Sequence, residues 1–168
     1  MNKQELVPAI ELADMFDYNK ETGLLTWKDS EKVKVQFRNK RAGTAKKGGY
    51  IFVSIRGKLF AAHRIILALV GGRWPPEFVD HVDGNTSNNS LSNLREATPL
   101  VNSQNVRRPN KANTTGYMGV TLNKQAGKYQ AAIGHMGKVI YLGLYSTAAE
   151  AHEAYIAKKR ELHSGCTI

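Results

Sequence analysis

Cysteine is nearly absent from this chain of 168 residues: Cys166, close to the C-terminus, is the single one. One cysteine excludes an internal disulfide and a zinc site built from several cysteines. No apolar run reaches the roughly 20 residues of a membrane-spanning helix, and the first residues lack the apolar core of a signal peptide. We therefore expect a cytoplasmic protein with no membrane partner.

Acidic residues are missing from one long segment. Residues 32–60 carry nine basic side chains and no acidic one, in a chain of net charge +10. A second basic stretch follows residue 103, and the part between them is almost neutral. Such blocks can be plain solvated surface, but they are also typical of proteins that bind polyanions. We expect a nucleic acid as the partner and consider Lys46 and Lys47 candidate phosphate contacts.

The N-terminal half reads as a helix followed by a β-hairpin and a second helix. Residues 4–16 have the apolar spacing of a helix, with Leu6, Ile10 and Ala13 on its predicted buried face and Met15 or Phe16 as a further member. The runs YIFVSI and KLFAAHRI flank Gly57 and predict a hairpin. The apolar stretch HRIILALV then predicts a helix that ends at the following pair of glycines.

The C-terminal part reads as a separate small module. Its runs GYMGVTLN, GKYQAAIGH and KVIYLGLYS are three predicted strands, and the helix STAAEAHEAYIAKKREL follows with Ser146 or Thr147 as its N-cap. The polar joint NVRRPNKANTTG has the composition of a linker. We therefore predict an α+β protein with one module at residues 1–108 and another at residues 109–168.

Chemistry-bearing residues gather after the apolar dipeptide Phe78–Val79. Asp80 and His81 follow it in a short predicted strand, so their side chains point to opposite faces. The loop DGNTSNNS then returns the chain to a second predicted strand at Leu91–Leu94. Its three asparagines are most simply turn formers, and Asp83 is expected to accept loop hydrogen bonds.

A helix is predicted next. Thr98 suits its N-cap and Pro99 its first position. Asn102 and Asn105 are three residues apart and so share one face of that helix. The expected unit is strand, loop, strand, helix, with an acid, an imidazole and an amide close together.

The stretch DHVDGNTSNNSLSNLREAT, with AHRIILAL before it and VNSQN after it, resembles the HNH (ββα-metal) endonucleases, specifically their phage-borne homing branch. The resemblance extends to FDYNKETGLLTWK and covers about residues 10–108. It implies a nuclease that hydrolyses DNA phosphodiesters to a 5′ phosphate and a 3′ hydroxyl, in the cytoplasm of a host cell if a phage encodes it.

The resemblance also implies residue roles. His81 corresponds to the general base that takes a proton from water, a role that suits an unperturbed pKa near 6.5. Asp80 and Asn102 correspond to the two protein ligands of one Mg²⁺ or Mn²⁺ ion, and their oxygen donors suit a hard cation. Asn93 would tie the loop back and orient His81. Many relatives have histidine where this chain has Asn102. His63 recurs in the family motif and is expected either to contact phosphate or, preferably, to pack.

The C-terminal module resembles the ethylene-response-factor (Apetala-two type) DNA-binding domain in GYMGV, GKYQAAI and YLGLYSTAAEAHEAY. That resemblance implies a sheet that enters the major groove of double-stranded DNA. An ordinary amphipathic sheet without a DNA role is the alternative. The candidate DNA contacts in this half of the chain are Arg107, Arg108, Thr121, Asn123, Lys124, Lys128, Gln130, His135, Lys138 and Tyr141.

Together these patterns predict a metal-dependent HNH DNA endonuclease that is targeted by its C-terminal module. One active site per chain implies nicking by a monomer, or a double-strand cut by a weak dimer or by two successive nicks. No obligatory protein partner is evident. The main alternative is a DNA-binding regulator that derives from a nuclease and no longer cleaves. RNA binding is disfavoured because no aromatic-rich RNA-binding motif is present.

Overall fold

Two units divide the chain in the computed structural model, which describes residues 7–168. The first unit ends at Thr98 and the second is Pro99–Ile168. The division falls before the predicted boundary at residues 108 and 109. The reason is local: the backbone N–H of Gly165 donates to Gln104 Oε1 (3.0 Å), and Lys159 donates to the carbonyl of Val106 (2.6 Å). The assignment of residues 99–108 to a nuclease domain stays a prediction.

Residues 7–98 of the first unit form two α-helices and three small antiparallel sheets. Its elements in chain order are α1 (Ala9–Met15), β1 (Phe16–Tyr18), β2 (Leu25–Trp27), β3 (Thr44–Ala45), β4 (Ile51–Ile55), β5 (Lys58–Ala61), α2 (Ala62–Gly71), β6 (Phe78–His81) and β7 (Leu94–Ala97). The sheets pair β1 with β2, β3 with β4 and β5, and β6 with β7.

The predicted hairpin and helix of this unit are confirmed. Strands β4 and β5 flank a turn with Gly57 at φ 76° and lead directly into α2. Helix α2 ends at Gly72, whose left-handed conformation (φ 68°) suits a residue without a Cβ. Ile65 and Ile66 of α2 are completely buried in the core of the unit.

The first helix is shorter than predicted, and its buried face is the predicted one only in part: Met15 and Phe16, its last expected members, are buried. Leu12 and Met15 are buried, whereas Ile10 is 81% exposed and Ala13 is also exposed. Ile10 and Ala13 are three residues apart, as are Leu12 and Met15, so helical spacing alone does not select the buried face. Leu6, the remaining residue of the predicted face, lies outside the described residues.

The second unit is a helix, a three-stranded antiparallel sheet and a long helix. Its elements are α3 (Pro99–Gln104), β8 (Val120–Asn123), β9 (Lys128–His135), β10 (Lys138–Tyr145) and α4 (Ala148–Leu162), and β9 is the central strand. Thr147 caps α4: its hydroxyl accepts from the backbone N–H of Glu150 while the carboxylate of Glu150 accepts from the N–H of Thr147.

Helix α4 covers one face of this sheet. The small core contains Val120, Ala131 and Ala151, with Tyr145 packed against it. The α+β prediction, with a strand–loop–strand–helix order followed by a sheet and a helix, is confirmed. None of the helices within residues 7–168 is long and apolar enough to cross a membrane.

Candidate active site

Strands β6 and β7 form the hairpin that carries the predicted chemistry. Asp80 lies opposite Arg95, and His81 lies opposite Leu94. The second strand begins at Leu94 and not at Leu91, because residues 91–93 form a turn of 3₁₀ helix first. Asp80 and His81 are both buried, and as successive strand residues they point to opposite faces.

Asp80 is held by an ion pair across the hairpin. Its Oδ2 accepts from Arg95 Nε at 3.0 Å and from Arg95 Nη2 at 2.7 Å. Only 8% of the Asp80 side chain is exposed. A buried carboxylate is costly unless it is paired and hydrogen-bonded, and the directly opposite arginine provides both.

His81 is oriented by an asparagine that the sequence analysis assigned to the turn. Its Nε2 lies 3.0 Å from Oδ1 of Asn89, which is buried as well. Because a side-chain carbonyl oxygen only accepts, this bond requires a proton on Nε2 and makes Nδ1 the basic nitrogen of the neutral ring. The hydroxyl of Tyr18 donates to the carbonyl of Asn89 at 2.9 Å and fixes that residue from the other side.

Two further rings surround the imidazole of His81. The ring of His63 stands at 81° to it with 5.0 Å between centroids, and Tyr50 contacts both rings at centroid distances of 5.5 Å (His63) and 5.9 Å (His81). Burial, with smaller contributions from His81 and Arg64, lowers the pKa of His63 to about 4. A buried ring that is neutral at pH 7 is suited to packing rather than to binding phosphate, as the sequence analysis preferred.

Asn93 braces the loop between the two strands. Its Oδ1 accepts from the backbone N–H of Asp83 (2.8 Å), and its Nδ2 donates to Asp83 Oδ1 (2.9 Å) and to the carbonyl of Asn88 (2.7 Å). This agrees with the predicted tie of the loop. The hydrogen bond to the His81 ring, however, comes from Asn89, so any effect of Asn93 on His81 passes through the loop.

Asp83 is the acceptor at the centre of this loop. Burial opposes its charge, but hydrogen bonds from Asn88, the backbone N–H of Asn85 and Asn93 outweigh that effect, and the pKa of Asp83 is lowered. Its side chain is exposed and its oxygens accept within the loop. Asp83 therefore acts as a structural acceptor, as the sequence analysis expected.

Asn102, the second predicted metal ligand, lies on α3 in the second unit. Helix α3 begins at Pro99 as predicted, but it ends at Gln104, so Asn105 follows the helix instead of sharing its face. Asn105 accepts a short hydrogen bond from the hydroxyl of Thr167. The two predicted ligands Asp80 and Asn102 offer oxygen donors, the chemistry that Mg²⁺ and Mn²⁺ prefer.

The oxygen donors of Asp80 and Asn102 are therefore chemically suited to a hard cation, but Arg95 restricts access to one of them. A cation at Asp80 has to share the carboxylate with Arg95 or displace that guanidinium. Within residues 7–168, no cluster of three or more histidine, cysteine, aspartate or glutamate side chains has the arrangement of a metal site. That statement does not apply to the predicted pair, because Asp80 and Asn102 are two residues and one of them is an asparagine.

Five predicted DNA contacts lie on the open face of the C-terminal sheet. Strand register puts them on the face opposite to the buried Val120, Ala131 and Ile133. We term this the outer sheet face, and its predicted contacts are Thr121, Asn123, Lys128, Gln130 and Tyr141. Exposed Val139 and Leu144 share the face, so it is partly apolar.

Two of the predicted outward residues have the wrong register. His135 and Lys138 pair with each other and are in phase with Ile133 and Ile140, on the side of α4. The ring of His135 stacks on His163 at 5.9 Å, beyond the end of that helix. The alternation of polar and apolar residues alone did not determine which side of the sheet the residues beside the β9–β10 turn occupy.

The remaining predicted contacts lie in turns and connecting segments. Lys124 is exposed in the turn after β8, and Arg108 is exposed in the segment after α3. Arg107 is partly buried and donates to the carbonyl of Thr167 at 2.9 Å, so a phosphate would have to compete for it. Lys46 and Lys47 are exposed in the turn between β3 and β4.

Three residues belong to the site although they are not among its predicted members: Asn89, Arg95 and Tyr50. Arg95 had a usable signal, since pairing β6 with β7 in the correct register sets it opposite Asp80. Asn89 had none, because nothing in a run of polar loop residues shows which of them is buried. Tyr50 is distant in sequence and reaches His81 only through the sheet that precedes α2.

Comparison with known proteins supports the nuclease resemblance over part of the chain. A family model described as HNH endonuclease matches residues 60–104. Protein 3.8 of Escherichia phage T7 is 39% identical over 61 residues, which are 36% of this chain and 50% of that protein. An uncharacterized HNH endonuclease, L560 of Acanthamoeba polyphaga mimivirus, is 33% identical over 118 residues, 69% of this chain and 59% of that protein.

Two further similarities are more distant. The AP2-like ethylene-responsive transcription factor AIL5 of Arabidopsis thaliana is 29% identical over 121 residues, 69% of this chain and 22% of that protein. A solved structure described as DNA binding and cleavage by the HNH homing endonuclease I-HmuI has a TM-score of 0.43 and 21% identity, over 90% of this chain and 88% of that one. The chain thus spans less than two thirds of each curated relative named here. The comparisons relate it to the HNH endonucleases, and the transcription-factor similarity is weak.

Proposed function

We propose that this protein is a metal-dependent endonuclease that hydrolyses phosphodiester bonds of double-stranded DNA, with His81 as its general base. The observation that carries the proposal is the buried His81 imidazole, which Asn89 holds at Nε2 within the segment that matches the HNH endonuclease model. A histidine held in this way can accept a proton from water without reorienting first.

In this proposal the protein's own residues prepare an attacking water. Asn89 holds the Nε2 proton of His81, so Nδ1 is the nitrogen that accepts the proton from water. The rings of His63 and Tyr50 limit the space around the imidazole. Water attack at phosphorus then releases the 3′ oxygen and leaves a 5′ phosphate and a 3′ hydroxyl.

Asp80 and Asn102 are the residues that would hold one Mg²⁺ or Mn²⁺ ion. When bound, such an ion supplies charge neutralisation at the phosphate and at the departing oxygen. Arg95 affects this step indirectly, because it sets the position and charge balance of the Asp80 carboxylate. We expect Arg95→Ala to impair cleavage by releasing that carboxylate.

We further propose that the second unit contributes DNA affinity through the outer sheet face. Thr121, Gln130 and Tyr141 offer exposed or half-exposed hydrogen-bonding groups there. Phosphate contacts position a protein on DNA but carry no sequence information. A second DNA-binding unit on the same chain raises the effective concentration of the first at its site.

One observation favours a second candidate, a DNA-binding regulator that does not cleave. The bidentate contact of Arg95 with Asp80 neutralises the carboxylate that the nuclease proposal assigns to the metal. If that ion pair persists when DNA is bound, the site lacks a metal ligand while the basic surfaces still bind DNA. Cleavage and binding therefore have to be measured separately.

The test is incubation of supercoiled plasmid with the full chain, in buffer with Mg²⁺, with Mn²⁺ or with EDTA. The proposal expects nicked circles with either metal and none with EDTA, together with DNA binding in all three buffers. DNA binding without any metal-dependent nicking would contradict the nuclease and support the regulator. End labelling of the nick checks for the 5′ phosphate.

A further inference from the structure

The turn between β3 and β4, residues 46–50, is fastened to the asparagine-rich loop of the candidate site. The hydroxyl of Thr86 donates to the carbonyl of Gly48 at 2.6 Å, and the hydroxyl of Ser87 donates to the carbonyl of Gly49 at 2.9 Å. We term residues 46–50 the hairpin tip. Two side chains of the loop therefore fix the tip beside His81.

The backbone of the hairpin tip is fitted to this contact. Gly48 and Gly49 have φ values of 91° and 84°, a conformation that favours glycine. A Cβ on Gly49 would lie 2.6 Å from Thr86 Oγ1. The close approach of the loop therefore requires glycine at this position, and the tip is a specific part of the site.

Tyr50 is the residue of the hairpin tip that reaches the imidazoles. Its ring contacts both His63 and His81, and it is 38% exposed, whereas His81 is 3% exposed. Within the described part of the chain, the Tyr50 hydroxyl makes no hydrogen bond. Tyr50 is thus the outermost of the three rings and presents an unused polar group.

Simple geometry connects Tyr50 to the DNA backbone. A general base lies about 3 Å from the water that it deprotonates. That water lies about 3 to 3.5 Å from the phosphorus that it attacks. The phosphate is therefore about 6 Å from the imidazole, which is also the distance between the rings of His81 and Tyr50. Because His81 is 3% exposed and Tyr50 is 38% exposed, the DNA strand has room to lie against Tyr50 and not against the imidazole itself.

We propose that the hairpin tip holds the DNA backbone against His81, and that the Tyr50 hydroxyl donates a hydrogen bond to an oxygen of the attacked phosphate. This inference rests on the proposed function and adds the contact that sets the substrate's position. Tyr50 is a substrate-contacting residue, and Thr86 and Ser87 are positioning residues that act through the tip.

Charge at the hairpin tip supports this role. Lys46 and Lys47 are exposed there, next to the site. Lys58 lies in the same sheet and is also exposed, but it starts β5 beside the opposite turn. Because β4 has five residues, the two turns are about 15 Å apart. Lys58 therefore provides a matched control for a lysine away from the site.

The first test compares Tyr50→Phe with the wild type in single-turnover nicking at increasing protein concentration. Phenylalanine keeps the ring contacts and removes only the hydroxyl. We expect the protein concentration that gives half the maximal nicking rate to rise about tenfold, while the maximal rate stays nearly unchanged. This is the effect of losing one hydrogen bond to a charged group when that bond is already formed in the bound complex, before the transition state. Unchanged half-saturation would overturn the proposal.

Tyr50→Ala extends this test to the ring. It should show the same loss of affinity and, in addition, a lower maximal rate, because His81 loses a packing partner. Thermal melting of both variants separates folding from binding. If Tyr50→Ala melts early, the Tyr50→Phe comparison alone decides.

The second test measures binding of a fluorescent DNA duplex in EDTA as a function of salt. Removing one lysine that binds a phosphate reduces the slope of log affinity against log salt by about 1. Lys46→Ala combined with Lys47→Ala should reduce the slope by about 2, and Lys58→Ala should leave it nearly unchanged. A reduction of about 1 by Lys58→Ala, the same per lysine as at the tip, would contradict a specific role of the tip.

These outcomes separate the inference from the proposed function. If the wild type nicks no DNA, the proposed function fails, and weaker binding of Tyr50→Phe in EDTA would still support the tip as a DNA contact. If the wild type nicks DNA and the Tyr50 and lysine variants all match it, the inference fails and the proposed function stands.

Discussion

The site around His81 and the outer sheet face of the second unit hold their polar groups in opposite ways. His81 is 3% exposed, and its partner Asn89 and the loop residue Asn93 are also buried, each with hydrogen bonds that fix its position. On the outer sheet face, Tyr141 is 57% exposed and stands among exposed Val139 and Leu144. The first region is built before any ligand arrives, and the second leaves its groups to the solvent.

The difference shows what each region can contribute. A general base needs a fixed ring and a fixed tautomer, and burial with a complete hydrogen-bond network provides both. A surface for DNA needs accessible donors, and single exposed contacts each contribute little. Substitutions in the His81 network should therefore change stability and cleavage strongly, and those on the outer sheet face should change affinity weakly.

The largest expected effect is the loss of folding stability in acid that the buried His63 causes. Its folded pKa of about 4 is below the unfolded value of 6.5, so the unfolded chain binds the extra proton between these pH values. This contribution to stability is present above pH 6.5 and is lost as the pH falls toward 4, by about 3 kcal/mol. Urea unfolding at a series of pH values should show this loss in the wild type.

His63→Phe should keep the ring packing against Tyr50 and His81 and remove most of that pH dependence. The groups that face His63 and lower its pKa are His81 and Arg64. A pH profile of His63→Phe that parallels the wild type would show that His63 is not buried in its neutral form.

Asn93→Ala should have the next largest effect. It removes three hydrogen bonds that tie the loop and leaves the partners at Asp83 and Asn88 without them. We expect a loss of about 2 kcal/mol in the free energy of unfolding. Asn85→Ala is the matched control, since Asn85 is exposed and bonds only within the turn. Equal destabilisation by both variants would contradict the bracing role.

Asn89→Ala should affect cleavage more than folding. The backbone of Asn89 stays fixed by Tyr18, while Nε2 of His81 loses its acceptor. We expect the nicking rate to fall about tenfold, which corresponds to about 1.4 kcal/mol of transition-state stabilisation. Asn89→Asp keeps an acceptor and should retain more activity. Nitrogen NMR of the His81 ring would show the tautomer directly, and a proton on Nδ1 in the wild type would refute the assignment.

Tyr141→Ala on the outer sheet face should have the smallest effect. One exposed contact to DNA is worth a few-fold in affinity, so the dissociation constant should rise about threefold to fivefold without a change in melting temperature. Met136, 87% exposed in the turn after β9, provides a control outside this face. Identical affinities for Tyr141→Ala and Met136→Ala would remove the face from the proposed DNA interface.

The sequence predicted the order of elements around the site because the signals there are local. Phe78–His81 is a strand, Pro99 starts a helix, and Gly72 ends one, each from the residues at that point. Strand phase and helix face were less predictable. The choice between Ile10 and Leu12, or the side that His135 takes, depends on packing partners far away in the chain.

Some residues of the candidate site were also predictable, because their signals are local in the sequence. Asp80 and His81 are adjacent in sequence, and a family resemblance supplied their roles. The contacts with Asn89, Arg95 and Tyr50 come from tertiary structure: pairing of β6 with β7 sets Arg95 opposite Asp80, and docking of the hairpin tip brings in Tyr50. Among several asparagines of one loop, only burial distinguishes Asn89.

The most direct test of the central claim is the single-turnover nicking rate of His81→Ala relative to the wild type, with Mg²⁺ and at protein concentrations that saturate the DNA. The account predicts a rate at least about 100-fold lower, the typical contribution of a general base, with unchanged DNA affinity in EDTA. Wild-type nicking by His81→Ala under these conditions would show that the hydrolytic site lies elsewhere and would contradict the account.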